Sequence, residues 1–296
     1  MPPFSKPPLD RKNKLNLLND PNKTAWEKRS RLYGTSLKGV LFKGCPNVFN
    51  EHLHDWHKKV ILHFIPGKGK FRILDVGCGY GRLSMPLLHQ FPSLDMIGLD
   101  ISETYVTLYK KNTNRPAFMG GIEKLPKELG TFDFILCVTV LMYLDHEKLN
   151  QAISNLLFHL KENGALILIE PHLSGHSFQT GFGLLTFLVN RDQKATRDTG
   201  GRYFRSGEIE TLFNHAGGQV LSEWRLPITS LLFVPLTLAG RVLPDRFVKY
   251  FCKLISLLDI LLGKFKWPSI QVAYLIARDK KERNHSSGKG LSSIGV

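Results

Sequence analysis

The sequence predicts an open α/β fold, a doubly wound parallel sheet with helices on both faces. Two observations predict it. Short apolar runs of buried-strand type alternate along the chain with helix-type segments, and these runs are nearly continuously apolar, as expected of strands covered on both faces. A third observation places a ligand site on that fold: the first run ends directly in a glycine-rich turn.

Taken in order, a polar stretch runs to about residue 23, and Thr24 to His63, rich in Trp, Tyr, Leu, His and Lys, reads as short helices. Phe71 to Val76 is the first strand and leads into Gly77-Cys-Gly-Tyr-Gly81. A helix from about Arg82 to Gln90 follows, then a second strand over Met96 to Asp100. Ser102 and Glu103 read as an N-cap and a first-turn acid opening the next helix. A weaker strand lies near Ala117 to Met119 and a fourth spans Phe132 to Cys137. His146 to Lys161 is an amphipathic helix, the Asn163-Gly164 turn follows, and Ala165 to Glu170 is the fifth strand. A helix over residues 207 to 217, with Ser206 as N-cap and Gly217 past its end, precedes two last strands, Gln219 to Trp224 and Ile270 to Ala277. Leu226 to Trp267 is an apolar insertion between them.

Composition bounds the function. The 296 residues carry 40 Lys+Arg against 25 Asp+Glu, a formal charge of +15, and are 43% hydrophobic, which is enough for one large folded domain. Residues 1–42, 226–268 and 278–296 hold +13 of the +15, so the central body is nearly neutral and is not itself a basic nucleic-acid binder. The four cysteines (Cys45, Cys78, Cys137, Cys252) form no CxxC pair, so neither a disulfide framework nor a metal site is expected, and a reducing compartment is the default. Met1 to Asn16 lacks the apolar core of a secretory signal, and no segment has the roughly 20 apolar residues that span a bilayer.

The sequence Asp75-Val-Gly77-Cys-Gly79-Tyr-Gly81 places three glycines where the chain turns sharply and a ligand can lie against bare backbone. Asp100 ends the second strand, where a carboxylate accepts the ribose hydroxyls of an adenosine. Dinucleotide enzymes use a third glycine so that a helix N-terminus meets pyrophosphate; here the two possible frames put Arg82 or Ser84 at that place. S-adenosylmethionine has no phosphate, and Asp75 is placed to help hold its ammonium group.

The run Ile73 to Leu83, followed by Ile97-Gly-Leu-Asp100-Ile-Ser102, then Phe132 to Cys137 and Leu160 to Pro171, resembles the class I S-adenosylmethionine-dependent methyltransferases over roughly residues 70–223 plus the last strand. The resemblance implies a mostly parallel seven-stranded sheet with an antiparallel last strand, S-adenosyl-L-methionine as cofactor and S-adenosyl-L-homocysteine as product. It implies cofactor contacts at Asp75, Gly77, Cys78, Gly79 and Gly81, at Asp100 and Ile101, at Ile122, and near Cys137 and Val138. Where many members have an acid before the adenine-contacting amide, this chain has Gly121-Ile122, leaving Glu123 or water to accept the adenine amine. The implied organisation is a flexible basic segment (1–23), a helical cover (24–66), a methyltransferase domain (67–225 and 268–278), an apolar helical insertion (226–267) and a disordered tail (279–296).

Methyl transfer is a displacement at carbon, so the protein aligns the reactants, excludes water, and supplies a base only where the acceptor carries a proton. The carboxyl ends of the fourth and fifth strands select Cys137 to Tyr143 and Glu170-Pro-His172. His172 is the first candidate for a base and Tyr143 for orienting the acceptor; a structural histidine and a core tyrosine are the alternatives. His176 is a further candidate, His146 and Glu147 read as a helix start, and Arg202, Tyr203 and Arg205 either hold an anionic acceptor or form a solvated turn.

Apolar segments outside the sheet, Ser177 to Val189 and Leu226 to Gly240, need a cover. In the helix-like run Arg246 to Leu262, capped by Asp245, Arg246, Lys249, Lys253 and Ser256 form a narrow stripe on an apolar cylinder. The insertion is either a lid over the acceptor pocket or a membrane-facing element. Both favour a small lipophilic acceptor handled in the cytoplasm or peripherally at a membrane. The alternatives are a nucleic-acid or protein methyltransferase that uses the basic ends, for which Cys137-Val-Thr-Val140 lacks the base-amine motif, and a non-catalytic binding module.

Overall fold

The structure is a computed structural model that describes residues 20–66, 69–175 and 201–279. His176, the Ser177 to Val189 segment, most of the basic N-terminal segment and the C-terminal tail after residue 279 lie outside the described residues.

Seven strands form one sheet: β1 (Arg72–Val76), β2 (Asp95–Asp100), β3 (Ala117–Met119), β4 (Phe132–Val138), β5 (Leu160–Pro171), β6 (Gly218–Arg225) and β7 (Gln271–Arg278). Their order is β3-β2-β1-β4-β5-β7-β6, with β7 antiparallel to both neighbours and the other pairs parallel. Successive strands are added outward in opposite directions from β1 and β4, which leaves between them the crevice where such sheets bind ligands at the strands' carboxyl ends.

Strand alternation sends side chains into two cores. Ile73, Leu136, Ile167 and Ile169 face one side, where α2 (Asn47–Phe64) supplies Phe49, Leu53, Trp56 and Ile61. Leu74, Val76, Ile135 and Leu168 face the other, against α5 (His146–Phe158) and α6 (Glu208–His215). Each fully buried Leu or Ile contributes on the order of 1.5–3 kcal/mol, so the continuous apolar strands follow from two cores drawing on one sheet.

The remaining helices are α1 (Pro21–Tyr33), α3 (Ser84–Gln90), α4 (Glu103–Thr113), α7 (Pro227–Leu231), α8 (Phe233–Val242) and α9 (Asp245–Leu262). Ser102 caps α4 by accepting the Tyr105 amide, and Asp145 caps α5 by accepting the Lys148 amide, leaving His146 and Glu147 in the first turn.

Several boundaries differ from the sequence reading, each for a local reason. The N-terminal region is not only short helices, because α2 runs for 18 residues with Leu53, Trp56, Val60 and Ile61 on its buried face. The helix expected from Arg82 begins at Ser84. The helix expected to reach Lys161 stops at Phe158, since the His159 carbonyl accepts the Phe132 amide and Leu160 joins the ladder opposite Phe132. The Asn163-Gly164 turn is absorbed into an irregularity of β5, where a Cβ on Gly164 would stand 2.8 Å from the Phe132 carbonyl. Gly207, at φ 76°, caps α6 in place of Ser206. Pro244 stands at the cap of α9, with Asp245 in its first turn.

Candidate functional site

A cleft with about 1050 Å³ of empty space, partly open to solvent, lies at the carboxyl ends of β1, β2 and β4. Parallel register brings these ends together: Asp75 pairs with Gly98 on β2 and with Leu136 on β4. Of the residues expected to bind cofactor, Asp75, Gly77, Cys78, Gly79, Asp100 and Ile101 line this cleft, as do Ile122 and Val138. Tyr143 lines it too. Gly81 and Cys137 stand behind the wall: Gly81 packs on Tyr109 and Thr113, and Cys137 is fully buried in the core.

The glycine loop is tied to the adjacent strand. Gly77 and Cys78 donate their amides to the Leu99 carbonyl at 2.8 and 3.0 Å. Gly77 has φ 66°, and a Cβ there would run into the Val140 side chain, so both conformation and space require glycine. Asp100 Oδ2 accepts the Gly79 amide at 2.9 Å and Oδ1 the Ser102 amide at 2.9 Å. Each oxygen keeps a further lone pair for a ligand hydroxyl. Burial pushes the Asp100 carboxyl up to about 6, against the lowering effect of those amides. Asp75 is likewise pushed up to about 6 by burial, opposed by the Ser84 hydroxyl, which donates to its Oδ2 at 2.6 Å.

Glu170, at the end of β5, fixes the loop after β4. Its Oε1 accepts the amides of Val140 and Leu141 at 3.0 and 2.7 Å, and its Oε2 that of Met142 at 3.3 Å. Burial raises this carboxyl to about 8 despite the three donors. The loop it holds includes Thr139, at φ 55°, and presents Thr139, Val140 and Tyr143 to the cleft.

Arg82 is a buried cation in the cleft wall. Its Nη1 donates to His54 Nδ1 at 3.0 Å and to His57 Nδ1 at 3.2 Å. Burial and the adjacent guanidinium lower both imidazoles, His54 to about 4, so the partners of Arg82 are neutral acceptors. Among the described residues no carboxylate is hydrogen-bonded to it, though it feels the charge of Asp75, and the guanidinium faces the cleft.

On the far wall, Glu123 folds back over Gly121. Its carboxylate carbon lies 2.7 Å from where a Cβ on residue 121 would be, so the acid fills the space a side chain at 121 would take. The N-terminal cover closes one side. Asn22 Nδ2 donates to the Tyr143 carbonyl at 3.0 Å, Lys148 pairs with Asp20 at 3.0 Å, and Trp26 meets the Tyr143 ring edge-on at 5.3 Å. Glu27 fastens that cover beside Asp100, accepting from Ser102 Oγ at 2.8 Å and Thr104 Oγ1 at 2.6 Å.

His172 is not brought to the cleft. It is 2% exposed, its Nδ1 is engaged by Ser174, and its Nε2 has no hydrogen-bond partner among the described residues. Its ring turns to Ser174 and lies outside the cleft lining, and burial and Arg225 lower it to about 4, so it is placed as a structural histidine and not as a base facing an acceptor in this cleft. Arg202, Tyr203 and Arg205 also lie away from the cleft lining, and Arg202 pairs with Glu208. The sequence reading missed Arg82 as a cleft cation and Asn22 and Trp26 as cleft walls. An arginine straight after the glycines was the available signal for the first; the others depend on tertiary folding of α1.

Comparison with known proteins bears on this geometry. The family described as a methyltransferase domain matches residues 73–164. A ubiquinone biosynthesis O-methyltransferase of Rickettsia akari is 28% identical over 145 residues, 48% of this chain and 56% of that protein. The tRNA N(3)-cytidine methyltransferase METTL2 of Mus musculus is 29% identical over 177 residues, 54% of this chain and 44% of that protein. The chain thus spans about half the length of the curated relatives it matches. The crystal structure of magnesium protoporphyrin IX methyltransferase from Synechocystis PCC 6803, with bound SAH, aligns with a TM-score of 0.53 at 16% identity, over 90% of this chain and all of that one, and shares its fold. Residues 73–164 thus carry a methyltransferase domain, and with its glycine loop, strand-end Asp100 and β3-β2-β1-β4-β5-β7-β6 sheet the chain has the fold of the class I S-adenosylmethionine-dependent methyltransferases.

Proposed function

We propose that this protein transfers the methyl group of S-adenosylmethionine to a small lipophilic acceptor. The observation that carries the reading is the convergence on one cleft of the glycine loop, two buried carboxylates and one buried guanidinium. Their chemistry fits the cofactor: Asp100 for ribose hydroxyls, Asp75 toward the ammonium, Arg82 for the carboxylate, and the Ile122 amide with the Glu123 carboxylate for the adenine edge. Bound there, the cofactor supplies a methyl group on a sulfonium, which leaves with its bonding pair returned to sulfur as the acceptor's lone pair forms the new bond.

The chain's own part is alignment and exclusion of water. Glu170 holds Thr139 to Tyr143 against the cleft, and Trp26, Val40, Val140 and Leu144 line it with apolar side chains beside the polar Asp20, Asn22 and Lys148. The apolar part of that wall suits the apolar body of an acceptor. The similarity to ubiquinone biosynthesis O-methyltransferases supports the same acceptor class. A second reading, methylation of RNA, is favoured by the murine relative and by the basic ends of the chain, but the nearly neutral central body weighs against it.

Calorimetric titration with S-adenosylmethionine and with S-adenosylhomocysteine tests the foundation. Saturable binding of both is expected. Binding of neither would overturn the enzymatic reading and leave a non-catalytic binding module.

A further inference from the structure

Among the described residues, 17 large hydrophobic side chains are exposed, and 13 of them lie between Leu231 and Trp267. Most are on α9, where Phe247, Tyr250, Phe251, Leu254, Leu257 and Leu261 recur at intervals of three and four and are each about half exposed or more. At 100° per residue they occupy one continuous sector. The opposite side of the helix, Val248, Cys252, Ile255, Ser256 and Asp259, is buried against α2 and α7. Arg246, Lys249 and Lys253 fall between the two sectors, all exposed, so the expected stripe is basic at three positions while Ser256 turns inward. The helix therefore has a buried sector, a basic sector and an exposed apolar sector, where a helix that only covers a core has two.

The exposure is built in. Asp259 Oδ1 accepts the Ile228 amide at 2.7 Å, its carboxylate also takes the Thr229 hydroxyl, and Thr229 in turn meets His52 Nε2 at 2.7 Å. These buried bonds fix the rotation of α9, so it cannot roll its outer face inward. Past its end, Phe265 and Trp267 are 57% and 52% exposed beside exposed Lys264 and Lys266. Aromatic side chains with adjacent lysines suit the boundary between acyl chains and headgroups.

We propose that the outer face of α9, continued by Phe265 and Trp267, is a docking surface for an anionic lipid bilayer. The apolar sector enters the acyl boundary while Arg246, Lys249 and Lys253 meet lipid phosphates and carboxylates. Positive charge flanking the apolar face selects this occupant. Lys249 also pairs with Glu51 at 2.8 Å, so Arg246 and Lys253 carry more of the lipid attraction. No described helix is long and apolar enough to cross a membrane, which restricts α9 to lying in the interface. The proposal stands apart from the methyl-transfer reading, because vesicle binding needs neither cofactor nor acceptor.

The test is flotation of the full chain with vesicles of phosphatidylcholine alone and of phosphatidylcholine with phosphatidylserine. Three forms are compared: wild type, the triple variant Phe251→Ser, Leu254→Ser, Leu257→Ser, and the double variant Arg246→Glu, Lys253→Glu. All five positions are exposed, so thermal unfolding should be little changed, and Leu32→Ser, exposed elsewhere, serves as control. Binding to the anionic vesicles is expected, weakened at least about tenfold in the triple variant and several-fold in the charge reversal. Absent binding, or binding unaffected by both variants, would overturn the proposal. So would a wild-type dimer that the triple variant converts to monomer without vesicle binding, since a second copy of the chain would then cover this face.

Discussion

The Leu141 amide donates to Glu170 Oε1 at 2.7 Å, joining the loop after β4 to the carboxyl end of β5 through a carboxylate that also holds two neighbouring amides. Glu170→Gln keeps one acceptor oxygen but turns an NH₂ group toward the Met142 amide. A stability loss of about 1–3 kcal/mol is expected, with weaker cofactor binding as the loop loosens. The folded carboxyl titrates near 8, above its unfolded value, so its contribution to stability is complete below about pH 4.5 and is lost as pH rises toward 8. Thermal unfolding of the wild type should decline across that window relative to the Gln variant, and parallel profiles would contradict the assignment.

Asp100 controls the ribose end. It must be ionised to accept hydroxyl hydrogens while holding the Gly79 and Ser102 amides, and burial raises its carboxyl to about 6. Cofactor affinity should be flat above about pH 7 and fall as pH drops through 6, approaching tenfold per pH unit. Asp100→Asn should bind at least about tenfold more weakly and show a shallower acid limb, the part left to Asp75, which is also raised to about 6, and titration calorimetry across pH would read the change.

Glu123 is expected to take the place of the acid missing at position 121. Glu123→Ala should weaken binding of S-adenosylmethionine several-fold. Gly121 has φ −90° and ψ 147°, which any residue adopts, and the space beside it is filled by the Glu123 carboxylate itself. Gly121→Asp combined with Glu123→Ala should therefore recover affinity, whereas no recovery would show that Glu123 acts elsewhere.

Arg82 is expected to read the amino-acid end of the cofactor. Arg82→Gln should cost at least about tenfold in affinity for S-adenosylhomocysteine but much less for 5′-methylthioadenosine, which lacks the carboxylate and ammonium groups. Equal losses for both would mean that Arg82 only supports the wall through His54 and His57.

Strands such as Ile73 to Val76 and Leu166 to Ile169 were legible because both faces are buried, which leaves an apolar run that few other structures produce. The cleft was legible where function is written in consecutive residues, as in Gly77 to Gly79, or at a strand end, as in Asp100. What escaped depends on contacts distant in sequence. His57 meets Arg82 across 25 residues and Asn22 meets the Tyr143 carbonyl across 121, with no periodicity to announce either. Helix ends failed where tertiary bonds outweighed local pattern: Leu160 is apolar in helical register, yet its pairing with Phe132 draws it into β5. His172 was misread because its place at a strand end says nothing of which way the ring turns, and here it turns to Ser174.

The central claim is methyl transfer to a small lipophilic acceptor. It is tested most directly by incubating the purified protein with methyl-labelled S-adenosylmethionine and a host extract, then separating organic-soluble, aqueous small-molecule and macromolecular fractions. Label is predicted in the organic phase, reduced in the Asp100→Asn variant. Label confined to RNA or protein, or no transfer at all, would contradict the account.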